Sequence, residues 1–145
     1  MNLITNKGRG KNHKALINKL ILTSDEIIMS SGWMKEEGLM AILPNLEEVI
    51  KKNVTVTIYS NQQHTETFVT EKLKGYENIK HIMFKKKTLH SKIYYFKKGD
   101  TFTAIIGSAN ITYGGLVHSE ELSVKISNTI DSDEHIEIKK YLDNL

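Results

Sequence analysis

The amino-acid sequence predicts an α/β fold, in which helices flank a central mixed β-sheet. Two observations support this class: apolar residues recur at helical spacing in some segments, and short β-rich runs alternate with those segments. The 145 residues suit one domain, which we expect to span residues 1–145. Hydrophobic residues make up 39% of the chain and charged residues 26%, a balance typical of globular rather than disordered proteins.

Four segments have the apolar spacing of a helix that packs on one face, as Leu16, Ile17, Leu20 and Ile21 show for the first. We expect Pro44 to interrupt the second helix, because proline disfavours a helix interior. Gly75 is expected to end the third. The predicted helices cover residues 14–22, 35–52, 65–74 and 131–145.

Six short runs predict strands, and four of them lie in the second half of the chain. Residues 97–100 predict a hairpin turn between two of these strands, because Gly-Asp favours tight turns. The predicted strands cover residues 26–30, 54–59, 79–84, 89–96, 101–107 and 120–127.

Composition excludes several classes of function. The chain has no cysteine, which rules out disulfides, thiolate zinc sites and cysteine nucleophiles and fits a cytoplasmic protein. Its apolar runs are too short to cross a bilayer, so we expect no membrane partner. The formal net charge of +3 permits an anionic partner without requiring one.

The fragment Leu89-His90-Ser91-Lys92 carries a pair of residues suited to phosphate chemistry. His90 and Lys92 lie two residues apart on a predicted strand, so both side chains are expected on the same face. A histidine can act as a nucleophile near neutral pH. A neighbouring lysine can bind the anionic oxygens of a phosphate.

The fragment Gly107-Ser108-Ala109-Asn110 ends the next predicted strand. The Ser108 hydroxyl and the Asn110 amide can donate to a phosphoryl oxygen, as preorganised donors do where charge develops. Both residue types also favour turns, so a purely structural turn is the alternative. We expect Ser108, Asn110 and Lys92 to bind phosphate together.

The fragment Ser119-Glu120-Glu121 begins a further predicted strand. A carboxylate here can accept a hydrogen bond from His90 and fix its tautomer, as the aspartate does in the serine-protease triad. Strand alternation puts only one of the two glutamates on the face of His90, and the residues alone leave open which one.

The order and spacing of these fragments resemble the phospholipase D superfamily, most of all its small nucleases with one histidine–lysine motif per chain. The resemblance spans residues 26–126. Its specific part is H-x-K joined to G-S-x-N at hairpin distance, whereas H-x-K alone would be a weak signal. The resemblance implies a phospholipase D-like fold, with His90, Lys92, Asn110 and Glu120 as catalytic residues, and it favours Glu120 over Glu121.

The mechanism of this family implies a homodimer. One histidine attacks phosphorus to form a phosphohistidine, and a second protonates the leaving oxygen and then activates water. This chain has one such motif, so a twofold partner must bring a second His90 and Lys92 to the same phosphate. Neither a metal nor another cofactor is expected, because the histidines lack the spacing of metal ligands.

One position departs from the family pattern. The family usually carries an aspartate five residues after the motif lysine, where this chain has Lys97. The role of that aspartate either passes to Glu120 or is missing.

The other histidines and the tryptophan are not part of this pattern. We expect His13, His81 and His135 on the surface. Trp33 is expected to be a packing residue rather than a platform for a nucleic-acid base.

The leading hypothesis is a metal-independent DNA endonuclease in restriction or other defence. DNA is favoured over RNA as the partner, and a helicase or specificity subunit is a further expected partner, because so small a domain has little room for base readout. Two alternatives stay open: a phospholipid phosphodiesterase or phosphatidyltransferase, and a dimeric nucleic-acid-binding module with weak catalysis.

Overall fold

A seven-stranded mixed sheet forms the centre of the fold in the computed structural model, which describes residues 2–145. Its strands are β1 (Asn2–Thr5), β2 (Glu26–Ser30), β3 (Thr55–Asn61), β4 (Ile79–Phe84), β5 (Ile93–Lys98), β6 (Thr101–Gly107) and β7 (Leu122–Thr129). They lie in the order β1-β7-β6-β5-β2-β3-β4. β2, β3 and β4 are parallel, and the other neighbours are antiparallel. The predicted α/β class and mixed sheet are confirmed.

Four α-helices cover the two faces of the sheet: α1 (His13–Ile21), α2 (Glu36–Ile50), α3 (Thr67–Lys74) and α4 (Asp133–Asp143). The first three pack on one face and α4 packs on the other. Ile27 and Met29 of β2 point to the first face, whereas Ile28 points to the second. Burial on both faces explains why this strand reads as an unbroken apolar run.

The expected interruption of α2 at Pro44 is wrong. The helix continues through Pro44 to Ile50, because Leu43 and Leu46 are buried on either side of it and hold this stretch on the sheet. Pro44 lies on the exposed face, where the carbonyl of Met40, which loses its usual N–H partner, can bind water.

The predicted strand at residues 89–96 is shifted: β5 begins at Ile93 and ends at Lys98. Residues 89–92 form an irregular segment before it, so His90 and Lys92 do not lie on a strand as expected. The hairpin turn is confirmed, and Gly99 adopts a φ of +53° there, which glycine tolerates best. β1 was not predicted; it is a short edge strand with two exposed residues.

Candidate active site

The residues singled out for phosphate chemistry gather at one end of the sheet. β5 and β7 run antiparallel to β2 and β6, so their amino ends lie beside the carboxyl ends of those strands. The carboxyl end of β3 lies at the same edge, since β3 is parallel to β2. This edge carries Ser31 and Gly32 after β2, Asn61 at the end of β3, residues 89–92, residues 108–110 and Glu121.

Lys92 is buried beneath an exposed His90. Only 8% of Lys92 is exposed, and its ammonium donates to the His90 carbonyl oxygen at 2.8 Å. Nζ also lies 3.4 Å from His90 Nδ1. Burial lowers the pKa of Lys92, and the nearby Glu121 carboxylate acts in the opposite direction. Lys92 takes part in none of the ion pairs found among residues 2–145, which leaves its charge free for an anion.

The Asn61 side chain fixes the segment that carries His90. Its amide oxygen accepts from the N–H of Leu89 at 2.7 Å, and its amide nitrogen donates to the Leu89 carbonyl at 2.7 Å. The same nitrogen donates to the carbonyl of Gly32 at 3.1 Å. Asn61 therefore supplies the backbone partners that a neighbouring strand would supply in a longer β5, which explains why residues 89–92 are ordered without being a strand.

Close packing at Gly32 and a serine pair hold this segment from the other side. A Cβ added at Gly32 would lie 2.9 Å from the Leu89 carbonyl oxygen, so only glycine allows this approach. The hydroxyl oxygens of Ser30 and Ser91 lie 2.8 Å apart. The position of His90 is thus fixed by its neighbours on both sides.

Glu121, not Glu120, reaches this end of the sheet. The Ser108 hydroxyl donates to the Glu121 carboxylate and accepts from the N–H of Leu122 at 3.1 Å. Glu120 instead forms an exposed ion pair with Lys7, at 2.8 Å. Within this chain, the contact expected between Glu120 and His90 is replaced by this pairing with Lys7. An irregular segment precedes β7, which begins only at Leu122, so strand alternation could not be applied to either glutamate.

Asn110 presents its amide nitrogen outward. Its Oδ1 accepts from the N–H of Trp33 at 3.1 Å and from the Ser31 hydroxyl at 3.4 Å. A backbone N–H can only donate, so this contact fixes which side-chain atom is the oxygen. The Tyr94 hydroxyl donates to the Ala109 carbonyl at 2.7 Å and anchors the loop. The Asn110 amide nitrogen has no partner among residues 2–145 and can donate to a phosphate oxygen.

Some expected contacts are missing from the site. Among residues 2–145, no carboxylate accepts a hydrogen bond from His90, so the tautomer-fixing contact expected from Glu120 is not formed within this chain. Lys97 lies near the far end of β5, about 16 Å along the strand from Lys92 at 3.3 Å per residue. The unusual residue at this position therefore lies away from the phosphate-binding groups.

The expectation that His13 is a surface residue is wrong. His13 is fully buried; its Nδ1 lies 2.8 Å from Asn6 Oδ1 and its Nε2 lies 2.9 Å from the Ser123 hydroxyl. Burial lowers the pKa of His13, and the charge of Glu121 acts against this. Asn6 also donates to the carbonyl of Ser119 at 3.1 Å. This network ties the start of the chain to the segment that carries Glu121.

Two other histidines are half-buried rather than on the surface. His81 Nε2 lies 2.8 Å from the Ser60 hydroxyl, and burial lowers the pKa of His81. His135 Nε2 lies 3.0 Å from the Tyr95 hydroxyl. Trp33, which was expected to be a packing residue, is instead 44% exposed. Its ring is stacked on His64.

Sequence reasoning missed Asn61 and the His13–Ser123 pair as supports of the site. Asn61 is the last residue of β3, and a polar residue at the carboxyl end of a strand is a usable signal for the functional edge of a sheet. Nothing local marks His13 or Ser123, because their contact joins residues 110 positions apart. Within the described range, 2–145, no three histidine or acidic side chains are grouped to hold a metal ion.

Comparison with protein families identifies the family to which this chain belongs. Residues 12–145 match the model of the NgoFVII restriction endonuclease N-terminal PLD domain, where PLD stands for phospholipase D. The chain belongs to this family. The phospholipase D-like membership inferred from His90 to Asn110 is thereby confirmed. No curated protein sequence matches this chain.

Solved structures confirm the fold. NucT from Helicobacter pylori superposes with a TM-score of 0.78 at 17% identity, over 99% of this chain and 92% of that one. Nuc from Salmonella typhimurium, a phospholipase D family member, superposes with a TM-score of 0.75 at 15% identity, over 99% and 91%. Phosphatidylserine synthase from Haemophilus influenzae gives 0.66 at 18% identity, over 97% of this chain and 36% of that one. None of the helices in residues 2–145 is long and apolar enough to span a bilayer.

Proposed function

We propose that this domain is a metal-independent phosphodiesterase, a DNA endonuclease that acts through a phosphohistidine on His90. The observation that carries the proposal is the exposed imidazole of His90 beside the buried, unpaired ammonium of Lys92. The outward amide of Asn110 adds a donor at the same end of the sheet, where the Ser108 hydroxyl holds the Glu121 carboxylate. Membership in a family named for a restriction endonuclease favours DNA as the substrate and a role in restriction or other defence.

The chemistry begins with the His90 imidazole attacking phosphorus. A P–N bond forms, the P–O bond to the leaving group breaks, and that oxygen takes a proton from a second imidazole. Water, activated by the second imidazole, then breaks the P–N bond and restores His90. Lys92 and Asn110 bind the anionic oxygens, so their positive charge and N–H dipole stabilise the charge that develops in the transition state. Lys92, Asn110 and the two imidazoles are cations or neutral groups. The scheme therefore needs no metal ion to offset the negative charge of the phosphate.

The second imidazole comes, in this proposal, from a second copy of the chain. No other histidine among residues 2–145 is hydrogen-bonded to His90 or Lys92. The two imidazoles differ in protonation state: the neutral one attacks phosphorus with its free nitrogen, and the imidazolium of the other protonates the leaving oxygen. After that transfer the second imidazole is neutral and can take the proton of the attacking water. A twofold site therefore holds one imidazole in each protonation state.

The test is cleavage of plasmid and single-stranded DNA in excess chelator. Wild type should cut, His90→Ala should not, and Thr88→Ala, an exposed change in the same segment, should cut like wild type. A 32P-labelled oligonucleotide should label wild type with the alkali-stable, acid-labile behaviour of a phosphohistidine. Equal cleavage by His90→Ala would overturn the mechanism. DNA binding by wild type without any cleavage would instead support a nucleic-acid-binding module.

The shared site has its own test in subunit mixing. If both copies of His90 serve one phosphate, only wild-type dimers cut. An equal mixture of wild type and His90→Ala, left to exchange subunits, should then retain about a quarter of the activity of the same total amount of wild type. Independent monomeric sites would retain about half. Sedimentation of wild type as a monomer under the assay conditions would also contradict a shared site.

A further inference from the structure

A groove of about 690 Å³ begins where Asn110 ends the candidate active site. Its volume lies within the range of small-molecule sites, roughly 300–1,000 Å³. Trp33 and Tyr113 line it, and both are unusually exposed for large aromatic residues, at 44% and 50%. We call it the aromatic groove. The Trp33 backbone N–H is also the donor that fixes the Asn110 oxygen, so the groove and the phosphate-binding amide are directly connected.

Both aromatic rings are held in place before any ligand arrives. The Trp33 ring is stacked on His64, with centroids 4.3 Å apart and planes 7° from parallel. The Tyr113 ring is stacked on His118, with centroids 6.1 Å apart and planes 19° from parallel. A ring ordered by its neighbours loses little side-chain entropy when a flat ligand stacks on it, so binding is not opposed by that cost.

The charges that line the aromatic groove favour the base of a nucleotide over its phosphate. Glu36, Glu37 and Glu66 line it against a single cation, Lys35. Three carboxylates repel a phosphate, but they accept hydrogen bonds from the amino and imino groups on the edge of a nucleobase. Lys92, by contrast, is the buried cation beside His90. The geometry thus separates an acidic, aromatic site for the base from a cationic site for the phosphate.

We infer that the aromatic groove binds one unpaired nucleobase, next to the phosphodiester held by Asn110 and Lys92. In an intact duplex the base edge is already paired and the base is stacked, so the base must first leave the helix. The chain therefore selects single-stranded or locally melted nucleic acid. This inference deepens the proposed function and rests on it for the position of the phosphate.

Trp33 allows a direct test, because it is the only tryptophan of the chain and its fluorescence reports on the groove. The His90→Ala variant keeps the nucleic acid uncut during the titration. A single-stranded oligocytidylate should quench Trp33 and bind about 5- to 150-fold more tightly than the same backbone with abasic residues, as expected for one stacked base. Equal affinity for the two probes, or for a blunt duplex, would overturn the inference.

Variants at Tyr113 test stacking on the second aromatic ring of the groove. In the His90→Ala background, Tyr113→Ala should lose at least fivefold in affinity for the oligocytidylate and none for the abasic probe. Tyr113→Phe, which keeps the ring, should restore binding. Phe68→Ala is the matched control, since Phe68 is 40% exposed but does not line the groove. Equal losses for both probes at Tyr113→Ala would contradict a base site.

Cleavage assays with wild type keep the two proposals apart. If wild type cuts single strands, duplexes and abasic strands at equal rates, the phosphodiesterase stands and the base site fails. If wild type never cuts, but the His90→Ala variant still distinguishes base-bearing from abasic strands, the base site stands and the phosphodiesterase fails.

Discussion

His13 Nε2 lies 2.9 Å from the hydroxyl oxygen of Ser123, so a fully buried histidine near the start of the chain is bonded to the strand that follows Glu121. Its pKa is lowered from 6.5 by burial. The unfolded chain therefore binds this proton more readily than the folded chain. His13 contributes full stability above about pH 6.5, and the contribution is lost as the pH falls below that value.

The first prediction is that acidification destabilises wild type through His13. Between about pH 7.5 and 5.5, the free energy of unfolding should fall with a slope of at most about 1.4 kcal/mol per pH unit for this proton. His13→Gln should be less stable at the higher pH but should lose less on acidification. His81, whose pKa is also lowered by burial, leaves a residual slope. Urea unfolding at both pH values measures this, and equal losses in the two proteins would exclude His13 as the cause.

The second prediction distinguishes the two adjacent glutamates. Glu121→Gln removes the charge that lies near Lys92 and leaves the Ser108 hydroxyl only a weaker, neutral amide oxygen as acceptor. We expect the rate of DNA cleavage to fall about 10- to 100-fold, equivalent to about 1.4–2.7 kcal/mol of transition-state stabilisation. Glu120→Gln breaks only an exposed ion pair with Lys7 and should change the rate less than about twofold. A larger effect at Glu120 would reverse the assignment.

The third prediction concerns the amide of Asn61. Asn61→Asp removes the donor to the carbonyls of Leu89 and Gly32 and buries a carboxylate beside them. Because an unsatisfied buried group costs about 1–3 kcal/mol, stability should fall by about 2–4 kcal/mol in urea unfolding. Gln62→Glu makes the same chemical change at an exposed neighbour and should cost less than about 0.5 kcal/mol. Similar losses in both variants would show that charge, rather than the lost donor, is responsible.

The fourth prediction is that Gly38→Ala destabilises the protein although alanine favours helices by about 1 kcal/mol. A Cβ at Gly38 would lie 2.2 Å from the carbonyl oxygen of Ile111, so α2 would be pushed off the loop that carries Asn110. We expect a loss of about 1–3 kcal/mol in thermal or urea unfolding, together with weaker cleavage. Glu37→Ala, at the exposed neighbouring position in the first turn of α2, should cost less than about 1 kcal/mol. A stabilised Gly38→Ala would show that the backbone moves aside freely.

The sequence predicted those parts of the fold that depend on local pattern. Helical spacing placed α1 within one residue of its observed ends, and the Gly99 turn was found because its requirement is local. The start of β5 was misplaced because the partner of Leu89 is a side chain, Asn61, from a distant strand. The spacing of apolar residues along the chain does not indicate that a side chain takes the place of a strand as the hydrogen-bond partner.

The candidate site was predicted unevenly for the same reason. His90, Lys92, Ser108 and Asn110 carry their own chemistry and come in a recognisable order, and the structure brings their segments to one end of the sheet. The choice of Glu121 over Glu120 could not come from strand alternation, because β7 begins only at Leu122 and both glutamates precede it. The roles of Trp33 and His13 depend on exposure and burial, and these arise only from packing.

The pairing of β1 with β7 has a consequence for how the protein is made. Asn2 lies opposite Lys125, and Asn6 bonds to the carbonyls of Gly115 and Ser119. The ribosome releases the start of the chain first, so these residues must wait for partners that are synthesised more than a hundred positions later. Contacts so distant in sequence also close slowly. The end of the sheet that holds Glu121 therefore stays unassembled until nearly the whole domain has been translated.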